Sequence, residues 1–476
     1  MLYLILVIAL TALVWAVVIA KRLSLKPITR VSFAIPGVAV LIVGSVFGHD
    51  FFNIDSGPIP LTFDRMLLAV LFGVFAFLLF SGRTSIRLPD ATDGLIIALL
   101  GVLLFSALLT DWSYANNRPI SRWLFFYLVP AMLYFLIRNT NLNDKDLKWV
   151  SIAFVGFGIY LALTAIFESR GWYGLVFPTY IRNEAIIEFL GRGRGPFMNP
   201  ISNGIYITCC CGAAFLLFWH ERSKARFLVL AAIPILFAGA LATLTRSVWL
   251  GLGLGIGLIF WLPAKRKQRG MMVVAAGLGL VVLFGISGSV VKFKRDKHVT
   301  ENEMTESAQL RPIFAVVAYK MFQERPFRGC GFGQYGRARL AHLQDPHSKY
   351  PLRKAKEYLQ HNVFLSFLTE TGLIGLSLLL LLLLKGVQVS VLLFRNKEAT
   401  TWARGYSLLL MCILIAYCVN GMFHDVSIIP MGNMLLFFVL AIVANQEAAY
   451  APRSVRAGIR PSPLPDPNRY SAQSPV

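Results

Sequence analysis

A histidine followed by an asparagine, His361 and Asn362, marks the point where a long basic connector meets a strongly apolar run. A histidine has an ordinary pKa of about 6.5, so it can accept a proton at neutral pH. Surrounding cations lower that pKa and keep the ring neutral, which is the form that a base requires. His361 is therefore the first candidate catalytic residue, and a histidine hydrogen-bonded at a helix start is the structural alternative.

Arginines in two other places are candidates for holding an anion beside such a base. Arg192 and Arg194 alternate with glycines, which let the backbone approach a charged group while the guanidinium forks bind it. Arg246 lies between two apolar runs with almost no connector, where an arginine needs a partner or a wet cavity. A flexible turn for the first pair and a snorkelling side chain for Arg246 are the alternatives.

His424 and Asp425 form a further pair between the last two apolar runs, suited either to orienting another group or to capping a helix. Neither the acidic residues nor the six cysteines are spaced as metal ligands or as a disulfide framework. We therefore expect any catalysis to proceed without a metal or another cofactor.

Composition indicates the elements that must position these residues. Hydrophobic residues make up 56% of the chain and charged residues 15%, and apolar runs long enough to cross a bilayer recur throughout. The sequence predicts an all-α polytopic membrane protein of about 12–13 transmembrane helices with a large, partly helical periplasmic loop. The candidate spans are 2–20, 31–47, 66–80, 94–110, 123–137, 149–167, 204–219, 227–243, 247–262, 271–290, 361–384, 403–420 and 429–445.

The distribution of charge predicts the orientation. The chain carries a formal net charge of +22. In a membrane protein this excess is explained by cytoplasmic Lys and Arg rather than by nucleic acid. Placing the basic clusters at 21–30 and 265–269 inside puts the N-terminus outside and the C-terminus inside. The connector 291–360 then faces out, with 14 Lys and Arg against seven Asp and Glu, which favours an anionic ligand.

The expected organisation follows from these spans and connectors. Within the large connector, 313–322 has an amphipathic helical pattern that Pro326 ends, and we expect that helix to lie along the membrane surface. The predicted segments are N-terminal transmembrane helices at 1–167, a first periplasmic loop at 168–203, transmembrane helices at 204–290, the large basic periplasmic loop at 291–360, C-terminal transmembrane helices at 361–450 and a disordered cytoplasmic tail at 451–476.

Four motifs, in this order, resemble the O-antigen ligase and polymerase superfamily. The resemblance spans roughly 192–384, and the flanking runs agree only in hydropathy. Members are usually described with about twelve spans and an inside N-terminus, which differs from the orientation predicted above. The motifs are Gly195-Pro196-Phe197-Met198-Asn199-Pro200, Leu244-Thr245-Arg246-Ser247, Pro326-Phe327-Arg328-Gly329-Cys330-Gly331-Phe332-Gly333, and His361-Asn362 with Glu370-Thr371-Gly372-Leu373-Ile374-Gly375.

The resemblance implies an inverting, metal-independent membrane glycosyltransferase of the GT-C type in the bacterial inner membrane, with its active site facing the periplasm. The donor would be a glycan on undecaprenyl pyrophosphate, and the acceptor a hydroxyl of the lipid A core or a similar glycan. His361 would be the base, with Arg246 and Arg194 on the pyrophosphate. Arg192, which could exchange roles with Arg194, and Arg328 would be further contacts of the pyrophosphate, and Asn199 would be a helper. His424 and Asp425 are possible helpers too, but this pair and the Pro-rich tail have no counterpart in the family pattern.

Two alternatives remain at the level of sequence. A polysaccharide polymerase would use the same chemistry with a different acceptor. A transporter of a small anion or of lipid-linked sugar is the alternative from another class. A transporter is expected to contain internal repeats and charges at mid-membrane, whereas this sequence has no repeat and its charges gather on one face.

Overall fold

The structure is a computed structural model that describes residues 32–53, 61–111, 118–183, 189–273, 301–344, 348–357 and 360–451, the side chains of 301–309 and 357 excepted. These residues form a helical bundle without an extended sheet. The longer helices of this part of the chain are α1 (Ala34–Val46), α2 (Phe63–Phe80), α3 (Ala91–Leu108), α4 (Pro119–Arg138), α5 (Asp144–Arg170), α6 (Pro200–His220), α7 (Ala225–Ala242), α8 (Arg246–Trp261), α9 (Glu301–Glu324), α10 (Val363–Arg395), α11 (Thr401–Gly421) and α12 (Pro430–Tyr450).

The predicted class of all-α polytopic membrane protein is confirmed. Within the described residues, nine helices are long and apolar enough to cross a membrane. The predicted spans 31–47 and 247–262 are instead the shorter helices α1 and α8, with 13 and 16 residues. At 1.5 Å per residue they measure about 20 and 24 Å, less than the ~30 Å of hydrocarbon. The predicted segments 2–20, most of 271–290 and nearly all of the 451–476 tail lie outside the described residues, so the total of 12–13 spans remains a prediction.

Small residues allow the helices of the bundle to approach one another closely. Gly251 and Gly255 of α8 face α11, where a Cβ on Gly255 would lie 2.7 Å from Sγ of Cys412. On α7, a Cβ on Gly239 would lie 2.3 Å from that of Ala162 in α5. These two glycines of α8 therefore serve helix packing.

The bundle has two chemically distinct ends. One end carries the N-termini of α2, α6, α8, α10 and α12 and is held together by bonds such as Tyr206 to the carbonyl of Met431 at 2.8 Å. The other end carries the short basic loops, where Lys148 pairs with Glu221 at 2.6 Å and Asn396 donates to the carbonyl of Tyr450 at 2.9 Å. All of the candidate site residues lie at the first end.

The connector between α8 and α10 builds a small core of its own at that first end. The helix predicted at 313–322 is confirmed and is longer, Glu301–Glu324, and it ends just before Pro326 as expected. Its apolar side chains repeat at three- and four-residue intervals and are buried against later parts of the connector. The core side chains are Leu310, Ile313, Phe314, Val317, Met321, Tyr335, Leu343, Leu352 and Ala355.

Candidate functional site

Three elements converge around His361. Asn362, not His361, caps α10: its side chain accepts hydrogen bonds from the backbone N–H groups of Phe364 and Leu365 at 2.9 and 3.0 Å. The same side chain donates to the carbonyl of Met422 at 3.0 Å, which ties the start of α10 to the loop that follows α11. The imidazole of His361 is therefore not used for capping, and it is exposed.

The ring of His361 lies between two aromatic side chains from different elements. The ring centroid of Phe314, on α9, is 5.4 Å away, and that of His424 is 6.3 Å away at an interplanar angle of 86°. Arg311, one turn before Phe314, places its guanidinium carbon 4.9 Å from the ring centroid of Phe423. We call this group the histidine cluster; it comprises Arg246, Arg311, Phe314, His361, Phe423 and His424.

The electrostatics of the histidine cluster suit a neutral base beside a bound anion. Although part of the imidazole is exposed, the side chains packed against the rest of it reduce its hydration, and this desolvation, followed by the charge of Arg311, lowers the pKa of His361 below its ordinary value. Asp425 acts in the opposite direction. Burial and then the charge of Arg246 lower the pKa of Arg311, which remains cationic. No carboxylate among the described side chains forms an ion pair with either arginine, so the two like charges lie together where an anion would neutralise them.

Arg194 is placed differently from the sequence expectation. Its side chain is fully buried and donates to Oε1 of Glu168 at 2.6 Å and to the carbonyl of Ile181 at 2.9 Å. Oε2 of the same Glu168 accepts the backbone N–H of Gly195 at 3.0 Å. In this arrangement the guanidinium holds the loop onto α5, and we do not assign it a direct contact with a ligand.

Arg192 is also buried, but it connects that loop to the histidine cluster. Its Nη2 donates to the hydroxyl of Thr245 at 2.6 Å, and its guanidinium carbon lies 5.0 Å from the ring centroid of Phe189. Thr245 is the residue that precedes Arg246 at the start of α8. Arg192 therefore positions the backbone that presents Arg246, while Arg246 itself is exposed.

Arg328 is exposed in a turn that docks against a break in α10. Gly372 within that helix has φ +64° and ψ −160°, and the carbonyl of Pro326 accepts the N–H of Leu373 at 2.8 Å. A Cβ on Gly372 would lie 2.4 Å from the carbonyl carbon of Phe327. The turn can pack against α10 only because residue 372 is a glycine, and the break in the helix frees the N–H of Leu373 for the turn. Arg328 lies in this turn.

The remaining candidate helpers have structural partners. Asn199 caps α6 by accepting the N–H groups of Ile201 and Ser202 at 2.9 and 3.2 Å. Asp425 is buried and accepts the backbone N–H and hydroxyl of Ser427, so of the sequence pair only His424 contributes its ring to the histidine cluster.

A buried ion pair beneath the turn was not found by the sequence analysis. Arg122 of α4 donates to Glu370 of α10 at 3.0 Å, both nearly unexposed, and a second nitrogen lies 3.9 Å from Asp425. The guanidinium carbon of Arg122 also lies 4.8 Å from the ring centroid of Phe332. This network holds the turn 326–333, α10 and the His424 loop in one arrangement.

Arg311 is the other residue that the sequence analysis missed as a site residue. In the sequence it is one of many cations of a basic connector, and its three-residue spacing from Phe314 places both on one face of a helix. This spacing is the sequence signal for a shared helix face. It identifies Arg311 as a site residue only together with the contact between Phe314 of α9 and His361.

Comparison with known proteins gives one family match. No curated protein matches the chain. Residues 231–380 match the family model described as O-antigen ligase, a segment that includes Arg246, Arg311, Arg328 and His361 but neither Arg194 nor His424. This part of the chain is therefore similar to the O-antigen ligase family, in agreement with the resemblance of its motifs to the O-antigen ligase and polymerase superfamily.

Proposed function

We propose that this chain is a membrane glycosyltransferase that moves a glycan from undecaprenyl pyrophosphate to a hydroxyl of an acceptor such as the lipid A core. The observation that carries this proposal is the exposed imidazole of His361 beside two arginines without described acidic partners, Arg246 and Arg311. A base next to a concentrated positive charge suits a reaction in which a hydroxyl loses a proton and a pyrophosphate departs.

In the proposed reaction the acceptor oxygen attacks the anomeric carbon of the donor sugar from the side opposite the pyrophosphate. The new bond joins that oxygen to the anomeric carbon, the bond from the carbon to the pyrophosphate oxygen breaks, and the configuration inverts. The proton of the acceptor hydroxyl passes to His361, whose lowered pKa keeps the ring in its proton-accepting form.

The two arginines provide for the leaving group. Pyrophosphate leaves as a stable anion, so neutralising its charge matters more than protonating it. Arg246 and Arg311 carry that charge neutralisation in our proposal, with exposed Arg328 as a weaker contributor. Because the arginines supply the positive charge, we expect transfer without added metal.

The positions of the basic loops support an outward-facing site. The short connectors at the end opposite the histidine cluster carry Arg222, Lys224 and Arg226, then Lys265–Arg269, then Arg395 and Lys397. Short loops rich in Lys and Arg are typical of the cytoplasmic side, so we propose that the histidine cluster faces the periplasm of the bacterial inner membrane.

The test is transfer by purified full-length protein given undecaprenyl-pyrophosphate glycan and a panel of acceptors, with and without a metal chelator. Transfer to the lipid A core or another free glycan supports a ligase. Extension of a donor-linked chain instead identifies a polysaccharide polymerase with the same site. Donor bound tightly with no transfer to any acceptor would contradict the proposal and favour a transporter or flippase.

A further inference from the structure

A cavity of about 200 Å³, lined by both apolar and polar side chains, opens at the same end of the bundle as the histidine cluster. It lies between the end of α1, the start of α2, the loop that precedes α6 and the start of α12. The side chains that matter for its chemistry are Asp50, Thr62, Asp64, Arg65, Tyr180 and Phe197.

The lining includes residues of the Gly195–Pro200 motif, which contributes no side chain to the histidine cluster. Pro196 and Phe197, from the Gly195–Pro200 motif, form one wall. The hydroxyl of Tyr180 lies 3.0 Å from the carbonyl oxygen of Pro196 and 3.1 Å from that of Val46, so its one proton is shared between the two, and this contact joins the wall to the end of α1. The buried Arg194 pair holds the start of the same motif.

The charge of the cavity is opposite in sign to that of the histidine cluster. Two carboxylates, Asp50 and Asp64, line it with Arg65, whose guanidinium carbon lies 3.6 Å from the ring centroid of Phe125. His49 lines it as well, and its Nδ1 lies 3.6 Å from Oδ1 of Asp50. Carboxylates accept hydrogen bonds from hydroxyl groups and repel phosphates. The cavity is therefore unsuited to pyrophosphate and suited to an uncharged ligand with several hydroxyls.

Thr62 provides an independent observation. It is the N-cap residue of α2, a position where a threonine ordinarily accepts a backbone N–H, yet its side chain makes no capping bond. The residue is only 1% exposed, and its hydroxyl has no hydrogen-bond partner among the residues that the structure describes. A buried hydroxyl without a partner is costly, and a ligand hydroxyl at the base of the cavity would provide one.

We propose that this cavity is a sugar subsite, which binds one uncharged sugar ring of the acceptor or of the donor glycan. Its volume lies below the ~300–1,000 Å³ of pockets for drug-sized ligands, which matches a single ring. Ile429 and Met431 line it, and the chain reaches them five and seven residues after His424. The cavity and the histidine cluster lie at the same end of the bundle, and the assignment of the sugar to the transfer reaction rests on the proposed function.

The direct test measures the binding of free monosaccharides to the full-length protein in detergent. Saturation-transfer NMR detects the binding at sugar concentrations up to tens of millimolar. The panel consists of hexoses, N-acetylhexosamines and heptoses. We expect at least one sugar to bind the wild type, and to bind Thr62→Val and Asp64→Asn several-fold more weakly. Thr92→Val is the matched control, because Thr92 is also buried with an unpartnered hydroxyl but lies at the opposite end of the bundle.

A stability measurement separates ligand binding from folding. Removal of an unpaired buried hydroxyl should leave the melting temperature of Thr62→Val unchanged or raised, as in Thr92→Val, so weaker sugar binding cannot be a consequence of unfolding. Equal sugar binding by Thr62→Val, Asp64→Asn and the wild type, or no binding by any sugar of the panel, would overturn the subsite.

The subsite and the transfer reaction can fail separately. His361→Ala should bind the sugar as the wild type does, because binding needs no base. If transfer is observed, a raised KM for the acceptor alone in Thr62→Val assigns the ring to the acceptor, and a raised KM for the donor alone assigns it to the donor glycan. Unchanged KM values for both would contradict the subsite even with transfer intact.

Discussion

Arg194 and Glu168 form an ion pair of 2.6 Å in which neither side chain is exposed. The pair anchors the glycine-rich loop to α5, and two residues earlier Arg192 bonds the threonine that precedes Arg246. The two arginines that alternate with glycines therefore act inside the protein, while the exposed charge at the site comes from Arg246 and Arg311. One pair of arginines therefore holds the loop in place, and a different pair provides the exposed positive charge.

Removing the ion pair between Arg194 and Glu168 should lower the stability of the protein and leave the affinity for the donor unchanged. Arg194→Ala leaves the Glu168 carboxylate buried without its partner, which costs ~3–5 kcal/mol in the free energy of unfolding. The double variant Arg194→Met with Glu168→Gln should lose less, because no buried charge remains. Melting in detergent measures both. An Arg194→Ala protein with wild-type melting but no donor affinity would instead place this arginine on the ligand.

Arg311→Ala should weaken donor binding by about 10- to 100-fold, since hydrogen bonds to charged groups contribute ~1.5–3 kcal/mol. Arg353→Ala is the matched control: it removes the same charge from an exposed position of the same connector, in the turn Leu352–Glu357. Titration with labelled undecaprenyl-pyrophosphate glycan at fixed ionic strength measures both. Similar losses in the two variants would show that the connector acts only through its net charge.

The pH dependence of transfer should report the environment of His361. Because burial and Arg311 lower its pKa, the acidic limb of kcat/KM for the wild type should fall below a pH of about 6.5. Removing the cation in Arg311→Ala raises that pKa, so the limb should move to higher pH. The comparison needs only pH–rate profiles of the two proteins. An unmoved limb, or one displaced to lower pH, would mean that another group titrates.

Gly372→Ala should disrupt the contact between α10 and the turn that presents Arg328. The residue has φ +64°, and its added Cβ would meet the carbonyl of Phe327, so we expect a loss of ~1–3 kcal/mol. Gly253→Ala is the control, because a Cβ there meets nothing within 4 Å and a helix favours alanine by ~1 kcal/mol. Melting temperatures should therefore move in opposite directions. Two unchanged values would show that the helix break is not required.

The sequence predicted the helical class and singled out His361 as the candidate base because both inferences depend on local patterns. Long apolar runs gave the bundle, and His361 stood out at the junction of a basic connector with one of those runs. The role of Arg194 depends on Glu168, 26 residues away, and that of Arg311 on the packing of α9 beside α10. Contacts between distant segments have no period or spacing that marks them, so these residues required the structure.

The central claim is that His361 takes the proton of the acceptor. Its most direct test is single-turnover transfer by His361→Ala against the wild type, with donor bound at saturation and the acceptor identified in the panel. We predict a rate lower by ~10²–10⁴, the usual contribution of a general base, with donor affinity unchanged. A transfer rate equal to that of the wild type in a variant that binds donor normally would contradict the account.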